Sequence, residues 1–136
     1  DYYASRGLGD VYKRQTPQID IDAVLDLQDI NAKFMSELKK MNPFGPDNQK
    51  PVFCSLGVKD YGTSKLVGKD LEHIKLELID DKSNTPIHGI AFGMHQHNTH
   101  IKNMKPFNIC YTIEENTYNG NTSLQLMVKD IKENDI

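Results

Sequence analysis

Three histidines are the first residues whose types and spacing could do chemistry. His95, His97 and His100 form an H-x-H-x-x-H pattern, and imidazole nitrogens at such spacings can hold zinc. Zinc sites commonly include a cysteine or a carboxylate as a further ligand. No cysteine or carboxylate lies close enough in sequence to these histidines to complete a zinc site. The segment around the histidines is polar, which is typical of an exposed connection between elements. The sequence therefore favours surface histidines and predicts no metal site in this chain.

The other polar residues form no recognisable catalytic group. The chain has no nucleophile elbow and no phosphate loop of the G-x-x-x-x-G-K-[ST] kind. Two acidic pairs, Asp80-Asp81 and Glu114-Glu115, fall in a predicted turn and at the end of a predicted strand, where water solvates carboxylates. The chain itself is therefore predicted to be non-catalytic.

Lysines and aromatic residues form the most informative pattern. Residues 82–113 contain three lysines and four histidines but no aspartate or glutamate, and a second basic cluster, Lys59, Lys65 and Lys69, lies near Tyr61. A positive groove beside exposed rings suits single-stranded nucleic acid, because lysines follow the phosphates and rings stack on bases. A solvated basic face explains the same lysines equally well. The composition alone leaves both interpretations open.

The hydrophobic pattern predicts the elements that must position these residues. Apolar residues recur every three or four positions over 28–41, which predicts a helix, and the preceding segment 18–27 is predicted to be extended. After residue 51 apolar residues alternate with polar ones, which is typical of half-buried strands. The predicted strands are 52–58, 73–79, 87–94, 106–116 and 123–131. Residues 80–86 are predicted to form a turn, and 95–103 a loop or one to two helical turns.

Five strands with a closing hairpin predict a mainly β fold. Asn119-Gly120, between the last two strands, is a strong hairpin signal, and Gly57 could let the first strand bend. We predict a five-stranded oligonucleotide/oligosaccharide-binding (OB) barrel preceded by an α-helix. An SH3-like barrel or a small sandwich is the alternative, because strand count does not fix connectivity. Tyr118 at the hairpin tip is a candidate stacking residue.

The composition along the chain predicts four segments. Both arginines lie in the first fifteen residues, and the rest of the chain contains lysines but no arginine. The first segment resembles a tail found in sequences translated through a library adapter, and we expect it to be non-native. A connecting segment with a stiff, proline-rich elbow is expected next, followed by the OB domain and a short tail. The predicted boundaries are 1–15, 16–50, 51–132 and 133–136.

The bulk properties suit one globular domain of the cytoplasm. The 136 residues carry a net charge of −3, so any nucleic-acid contact depends on where lysines are placed. No apolar run approaches the roughly 20 residues that cross a membrane. Two cysteines, Cys54 and Cys110, lie in apolar, strand-like segments. Buried, reduced thiols are the predicted state for both.

Several short motifs together resemble a known family. They are Pro43-Phe44-Gly45, the step from Asn48 to Phe53, His73 to Lys75, Ile90-Ala91-Phe92, and Asn116 to Gln125. This combination resembles the C-terminal region of the RecJ family of single-stranded-DNA-specific exonucleases, which are DHH phosphoesterases. The resemblance runs from about residue 18 to 132. It implies an OB barrel that binds single-stranded DNA for a 5′-to-3′ exonuclease of repair and recombination.

The resemblance also implies what this chain lacks. The family's Asp-His-His and Gly-Gly-His motifs do not occur here, so manganese or magnesium is expected only in the missing catalytic domains. The expected partners are single-stranded DNA, those catalytic domains and single-strand-binding protein. A protein-docking or structural barrel is the alternative function. The predicted nucleic-acid contacts are Lys59, Tyr61, Lys65, Lys69, His73, Lys75, Phe92, Lys102, Lys105, Tyr118 and Asn119.

Overall fold

The computed structural model describes residues 21–41 and 50–133 of the chain. The predictions for the first fifteen residues, for most of the proline-rich elbow and for the last residues fall outside these ranges. Seven strands and two short helices account for most of the described residues. The strands are β1 (Ala23–Val24), β2 (Phe53–Asp60), β3 (Lys65–Val67), β4 (His73–Asp80), β5 (Ser83–Ala91), β6 (Phe107–Tyr118) and β7 (Asn121–Lys132). The helices are α1 (Ala32–Lys39) and α2 (Asn98–Lys102), with single 3₁₀ turns at Leu27–Asp29 and His95–His97.

The fold is mainly β, as the alternation predicts, but its described part has seven strands where five were expected. The sheet order is β1-β2-β6-β7-β5-β4-β3, and β4 also pairs with β2. That last pairing joins Lys59 to Ile79 and Asp60 to Leu78, so the order β2-β6-β7-β5-β4 returns to its first strand. β5 and β7 pair in parallel, as do β1 and β2, and the other neighbours are antiparallel.

The core lies on the inner side of these strands. Ile74, Leu76 and Leu78 of β4 are fully buried and alternate with more exposed residues. The alternation of apolar and polar residues in the sequence therefore matches the buried and exposed faces of this strand. Tyr111 of β6 is also fully buried, and its hydroxyl lies 2.8 Å from the hydroxyl of Ser55. Because its polar atom has a partner, this large ring can be buried without the cost of an unpaired hydroxyl.

A bulge bends β2 at the glycine that the sequence singles out. The register of β2 against β6 shifts between Ser55 and Val58, and Gly57 has a φ of +66° there. The amide of Gly57 donates to the side chain of Asn108 at 2.9 Å, which replaces the ladder bond lost at the bulge.

The predicted turn over 80–86 is wrong in its extent. Only Asp81 and Lys82 separate β4 from β5, and β5 continues through Pro86. A proline is tolerated here because the register of β4 and β5 shifts nearby, and because β5 pairs with β7 only through His88–Ile90. The polar residues of this stretch therefore lie on a partly unpaired strand edge.

Residues 21–41 pack against the strands and contribute to their core. The predicted helix over 28–41 is shorter than expected, because the chain first makes a 3₁₀ turn and then begins α1 after Asn31. The Asn31 side chain accepts from the amide of Phe34 at 2.9 Å, which caps the helix. Leu27, Ile30 and Met35 are buried in the main core.

Cys54 and Cys110 are both free and fully buried. They lie directly opposite each other on β2 and β6, a proximity that the sequence separation of the two residues does not reveal. A hydrogen bond with Cys110, together with burial, raises the pKa of the Cys54 thiol. In the described part of the chain, no helix is long and apolar enough to cross a membrane.

Candidate nucleic-acid interface

The outward side of β4 carries the most polar side chains of the candidate site. His73, Lys75 and Glu77 alternate with the buried core residues of the strand, and so share the opposite face. Successive outward side chains on a strand lie about 7 Å apart, so His73 and Glu77 are separated by about 13 Å. This strand sets the axis along which the other residues of the site are arranged.

Two lysines lie side by side on this outer face. Lys65 of β3 is directly opposite Lys75 of β4, and both side chains are exposed. Neither lysine makes an ion pair with any described residue. Like charges directly opposite on neighbouring strands are destabilising. An anion bound above this pair would remove that repulsion.

An aromatic pair lies beside the lysines. The rings of His73 and Phe92 meet edge to face, with centroids 5.0 Å apart and planes at 78°. The amide of Gly93 donates to Nδ1 of His73 at 2.8 Å, so the neutral imidazole carries its proton on Nε2. These two contacts fix the histidine ring. Phe92 nevertheless remains 57% exposed, which is unusual for a phenylalanine.

Tyr61 lies further along β4, beside Glu77. The amide of Tyr61 donates to the carbonyl of Glu77 at 2.8 Å, and the Tyr61 side chain is 49% exposed. The Glu77 carboxylate is hydrogen-bonded by Thr63 and lies 3.1 Å from Nδ1 of His88. The face therefore contains a carboxylate between its tyrosine end and the row of lysines. Lys59 lies beyond Tyr61, opposite Ile79, and is partly buried.

The loop between β3 and β4 carries Lys69, which is exposed and makes no ion pair with the described residues. The loop turns at Gly68, whose φ of +103° suits glycine. Leu71, also in this loop, has a φ of +55° and is 54% exposed. A leucine in this region of φ is strained. The loop thus holds an apolar side chain in solvent beside the lysines.

The hairpin residues lie apart from this face. Asn119 and Gly120 both have positive φ, as a two-residue hairpin turn requires, and Tyr118 is 78% exposed. The parallel register of β5 and β7 places the hairpin tip beyond the Ser83 end of β5, whereas Phe92 follows the other end. The structure therefore separates Tyr118 and Asn119 from His73 and Phe92.

Acidic residues from other segments lie against much of the basic stretch 82–113. Lys82 pairs with Asp26 at 2.8 Å, and the rings of His97 and His100 approach Glu133 at 2.5 and 3.7 Å. These carboxylates are remote in sequence, so the local charge count could not show them. Lys105 is exposed and makes no ion pair with described residues.

Lys102 has a different environment from the other lysines of the predicted site. Its Nζ lies 3.1 Å from Oδ2 of Asp60 and 2.7 Å from the carbonyl oxygen of Ser64. Asp60 is fully buried. Burial alone would raise the pKa of the Asp60 carboxyl, but hydrogen bonds from Ser64, Gly62 and Lys102 together hold it below its ordinary value. The carboxylate is therefore charged at neutral pH and opposite a lysine.

The structure thus brings together six of the predicted contacts. The β4 face, as we call this surface, groups the six predicted contacts Tyr61, Lys65, Lys69, His73, Lys75 and Phe92, with Glu77 between Tyr61 and the lysines. Reasoning from sequence missed β3, and with it the juxtaposition of Lys65 and Lys75, because three residues are too few to show a period. It also missed two apolar residues in the same cross-strand row as Lys65 and Lys75. Ile90 of β5 lies opposite Lys75, and Met127 of β7 lies opposite Ile90.

The residues that the structure describes offer no ligand set for a metal, which the family resemblance implies only for the catalytic domains. Among residues 21–41 and 50–133, no three histidines, cysteines or carboxylates are placed to hold a metal ion. The side chains of the β4 face are mainly cationic or aromatic, which suits an anion rather than a cation.

Comparison with known proteins agrees with this architecture. No curated protein matches the chain by sequence. Two solved structures of RecJ from Thermus thermophilus match all of it, one in complex with Mn²⁺ (TM-score 0.63) and one with Mg²⁺ (TM-score 0.60). Each is 13% identical to the chain, which covers only 20% and 21% of their lengths. A family profile described as the RecJ OB domain matches residues 21–130. The chain therefore belongs to the RecJ OB domain family.

Proposed function

We propose that this chain is the single-stranded-DNA-binding domain of a RecJ-type 5′-to-3′ exonuclease, and that it binds DNA on the β4 face. The observation that carries the proposal is the directly opposed pair Lys65 and Lys75, unpaired with acids among the described residues, beside the exposed His73–Phe92 rings. Phosphates relieve the lysine repulsion, and the rings accept the face of a base.

The strand arrangement supports this placement. We propose that β2, β4, β5, β6 and β7 are the five strands of an OB barrel, with β1 and β3 added at its edges. OB folds bind oligonucleotides on the face of their second and third strands and with the loops that join the first strand to the second and the fourth to the fifth. Here those strands are β4 and β5, and the loops are residues 61–72 and the β6–β7 turn at Asn119 and Gly120. Five of the six β4-face residues lie in these segments, and Phe92 directly follows β5.

The chemistry of the face suits binding without base readout. Lysine side chains contact phosphates whatever the sequence, and every base presents a π-face to an aromatic ring. Glu77 repels phosphates, so the backbone of the strand is expected to follow Lys65, Lys75 and Lys69 and to pass to one side of that carboxylate. In this proposal the chain binds the DNA strand and orients it.

Cleavage belongs to other domains of the parent enzyme in this proposal. There, manganese or magnesium would activate water and stabilise the leaving oxygen. The parent would act in the cytoplasm, in DNA repair and recombination. The OB domain would feed single strands to these catalytic domains.

The exposed apolar side chains of Leu71 and Phe92 favour a second candidate function. Exposed apolar residues also serve in protein contacts, and these two could dock the domain against the catalytic domains or against single-strand-binding protein. In that case, replacing the lysines would leave the docking intact.

Salt dependence of DNA binding tests the first proposal. Binding of a fluorescent oligothymidylate is measured by anisotropy at several salt concentrations. For single strands, each phosphate contact contributes about 0.7 to the slope of log affinity against log salt. Lys65→Ala and Lys75→Ala should each lower affinity and flatten the slope by about that amount. Lys33→Ala, an exposed lysine on α1, is the matched control and should leave both unchanged. No binding at low salt, or equal effects of all three changes, would refute the proposal.

A further inference from the structure

Lys102 has no free donor to offer a phosphate. The side chain lies in the last turn of α2, and its Nζ faces three oxygens: Asp60 Oδ2 at 3.1 Å, the Ser64 carbonyl at 2.7 Å and the Gly62 carbonyl at 3.5 Å. An ammonium group has three donors, and each of them has a partner here. This distinguishes Lys102 from Lys65 and Lys75, whose charges are unpaired among the described residues.

The buried carboxylate of Asp60 depends on Lys102 as its counter-charge. Asp60 has no exposed surface, and its second oxygen, Oδ1, accepts from the amide of Ser64 at 3.0 Å. If Lys102, whose side chain is 39% exposed, moved to a phosphate, the buried Asp60 carboxylate would lose its counter-charge, which is unfavourable. Lys102 is therefore expected to keep these contacts when an anion binds nearby.

Those contacts hold the loop of residues 61–64 from two sides. From the β4 side, the carbonyl of Glu77 accepts from the amide of Tyr61 at 2.8 Å, and the amide of Glu77 donates to the hydroxyl of Ser64 at 2.9 Å. From the α2 side, Lys102 donates to the backbone carbonyls of this same loop. Tyr61 stands at the start of the loop, with about half its side chain exposed.

We propose that Lys102 and Asp60 are positioning residues that fix loop 61–64, so that Tyr61 is presented on the β4 face for stacking on a base. Lys102 itself does not contact the DNA. This inference rests on the function proposed above, and it assigns to Lys102 a role different from the direct contact that sequence reasoning predicts.

The first test compares salt slopes. With Lys102→Met, oligothymidylate affinity should fall roughly five- to tenfold, the size of one weakened ring–base stack. The slope of log affinity against log salt should stay unchanged, whereas Lys65→Ala flattens it. A slope that flattens by about 0.7 in Lys102→Met would show a direct phosphate contact and overturn the proposal.

The second test asks whether the effect passes through Tyr61. In a double-mutant cycle, Lys102→Met should cost little further affinity in the Tyr61→Ala background. Equal losses from Lys102→Met with and without Tyr61 would contradict the positioning role. Lys102→Arg keeps a cation within reach of Asp60 and the loop carbonyls, and is expected to restore most of the affinity.

The third test does not depend on DNA. Amide hydrogen exchange of residues 61–64 should become about tenfold faster in Lys102→Met, and exchange in β6 should not change. Because Lys102→Met leaves Asp60 buried without its partner, the double variant Asp60→Asn/Lys102→Met is measured beside it. The double variant removes both charges and should also show fast exchange in the loop. Unchanged exchange in both variants would overturn the proposal. A parent chain that binds no DNA, with variants that still show the fast exchange, would instead refute only the DNA-binding function.

Discussion

At the residue scale, Phe92 is the side chain whose position most needs a functional reason. It follows the end of β5, where the chain could have carried a polar residue at no cost to the core, yet it exposes more than half of its surface. Its edge-to-face contact with His73 keeps the ring in one orientation, and the Gly93 amide in turn holds His73. A fixed, exposed ring beside two lysines is suited to stacking, because less entropy is lost when a base binds.

Replacing Phe92 by alanine should therefore weaken DNA binding much more than it affects folding. Loss of one ring–base stack costs about 1–3 kcal/mol of binding free energy. The free energy of unfolding should change by less than that, since the ring is largely in water already. Anisotropy titration and urea unfolding measure the two quantities. Tyr118→Ala, at the far hairpin, reports whether that tip also contacts DNA. An affinity of Phe92→Ala within about twofold of the parent chain would exclude a stacking contact of this size at Phe92.

At the element scale, the β3–β4 connection is the part of the site with least tolerance for change. β3 has only three residues, and among the described strands it is paired with β4 alone. A Cβ at Gly68 would clash with Oε1 of Glu72 and lie 2.9 Å from Cδ2 of His73. The Glu72 side chain can swing away, but the His73 ring is held by Gly93 and Phe92. Any side chain at position 68 must therefore disturb the aromatic pair.

Gly68→Ala is accordingly expected to lower both stability and DNA affinity. A left-handed residue costs about 1–2 kcal/mol when it is not glycine, and displacement of His73 adds to that. Gly120→Ala is the matched control, since Gly120 also has a positive φ of +81° but a Cβ there would meet open space. Urea unfolding should show a larger loss for Gly68→Ala than for Gly120→Ala. Equal losses would show that the contacts with Glu72 and His73 do not matter.

The strands and their pairings show how much of the fold and of the site could be predicted from the sequence. Alternation located the five long strands, because a strand with one buried face must have a period of two. It could not locate β3, and it placed a turn where Pro86 lies on a partly unpaired strand. The lysine positions were visible in sequence, but their pairing was not. The carboxylate of Asp60 lies 42 residues from Lys102 in the chain, and only the fold brings the two together.

At the scale of the whole molecule, residues 21–41 and the strands form one packed unit. The carbonyl of Leu25 accepts from the Ser55 hydroxyl at 2.8 Å, and the Asp80 carboxylate accepts from the amide of Leu27 at 2.9 Å. An ion pair joins Lys82 to Asp26 at the same end. Polar bonds and buried apolar residues thus tie this segment to β2, β4 and the β4–β5 turn. Its buried apolar side chains are used within the domain, so the segment serves as part of the scaffold that holds the β4 face.

This arrangement predicts that a core change in α1 destabilises the entire domain while leaving the proposed DNA contacts intact. Met35 is 6% exposed, and truncating a buried methionine to alanine typically costs about 2–5 kcal/mol through lost burial and the cavity left behind. Met35→Ala should lower the midpoint of urea unfolding in a single transition, with far-ultraviolet and tyrosine near-ultraviolet signals changing together. Lys33→Ala, an exposed change on the same helix, should stay within about 0.5 kcal/mol of the parent. Below the transition, Met35→Ala should bind oligothymidylate with the parent's affinity and salt slope, because the β4 face draws no residue from α1. Two separate transitions would instead show that residues 21–41 and the strands fold independently.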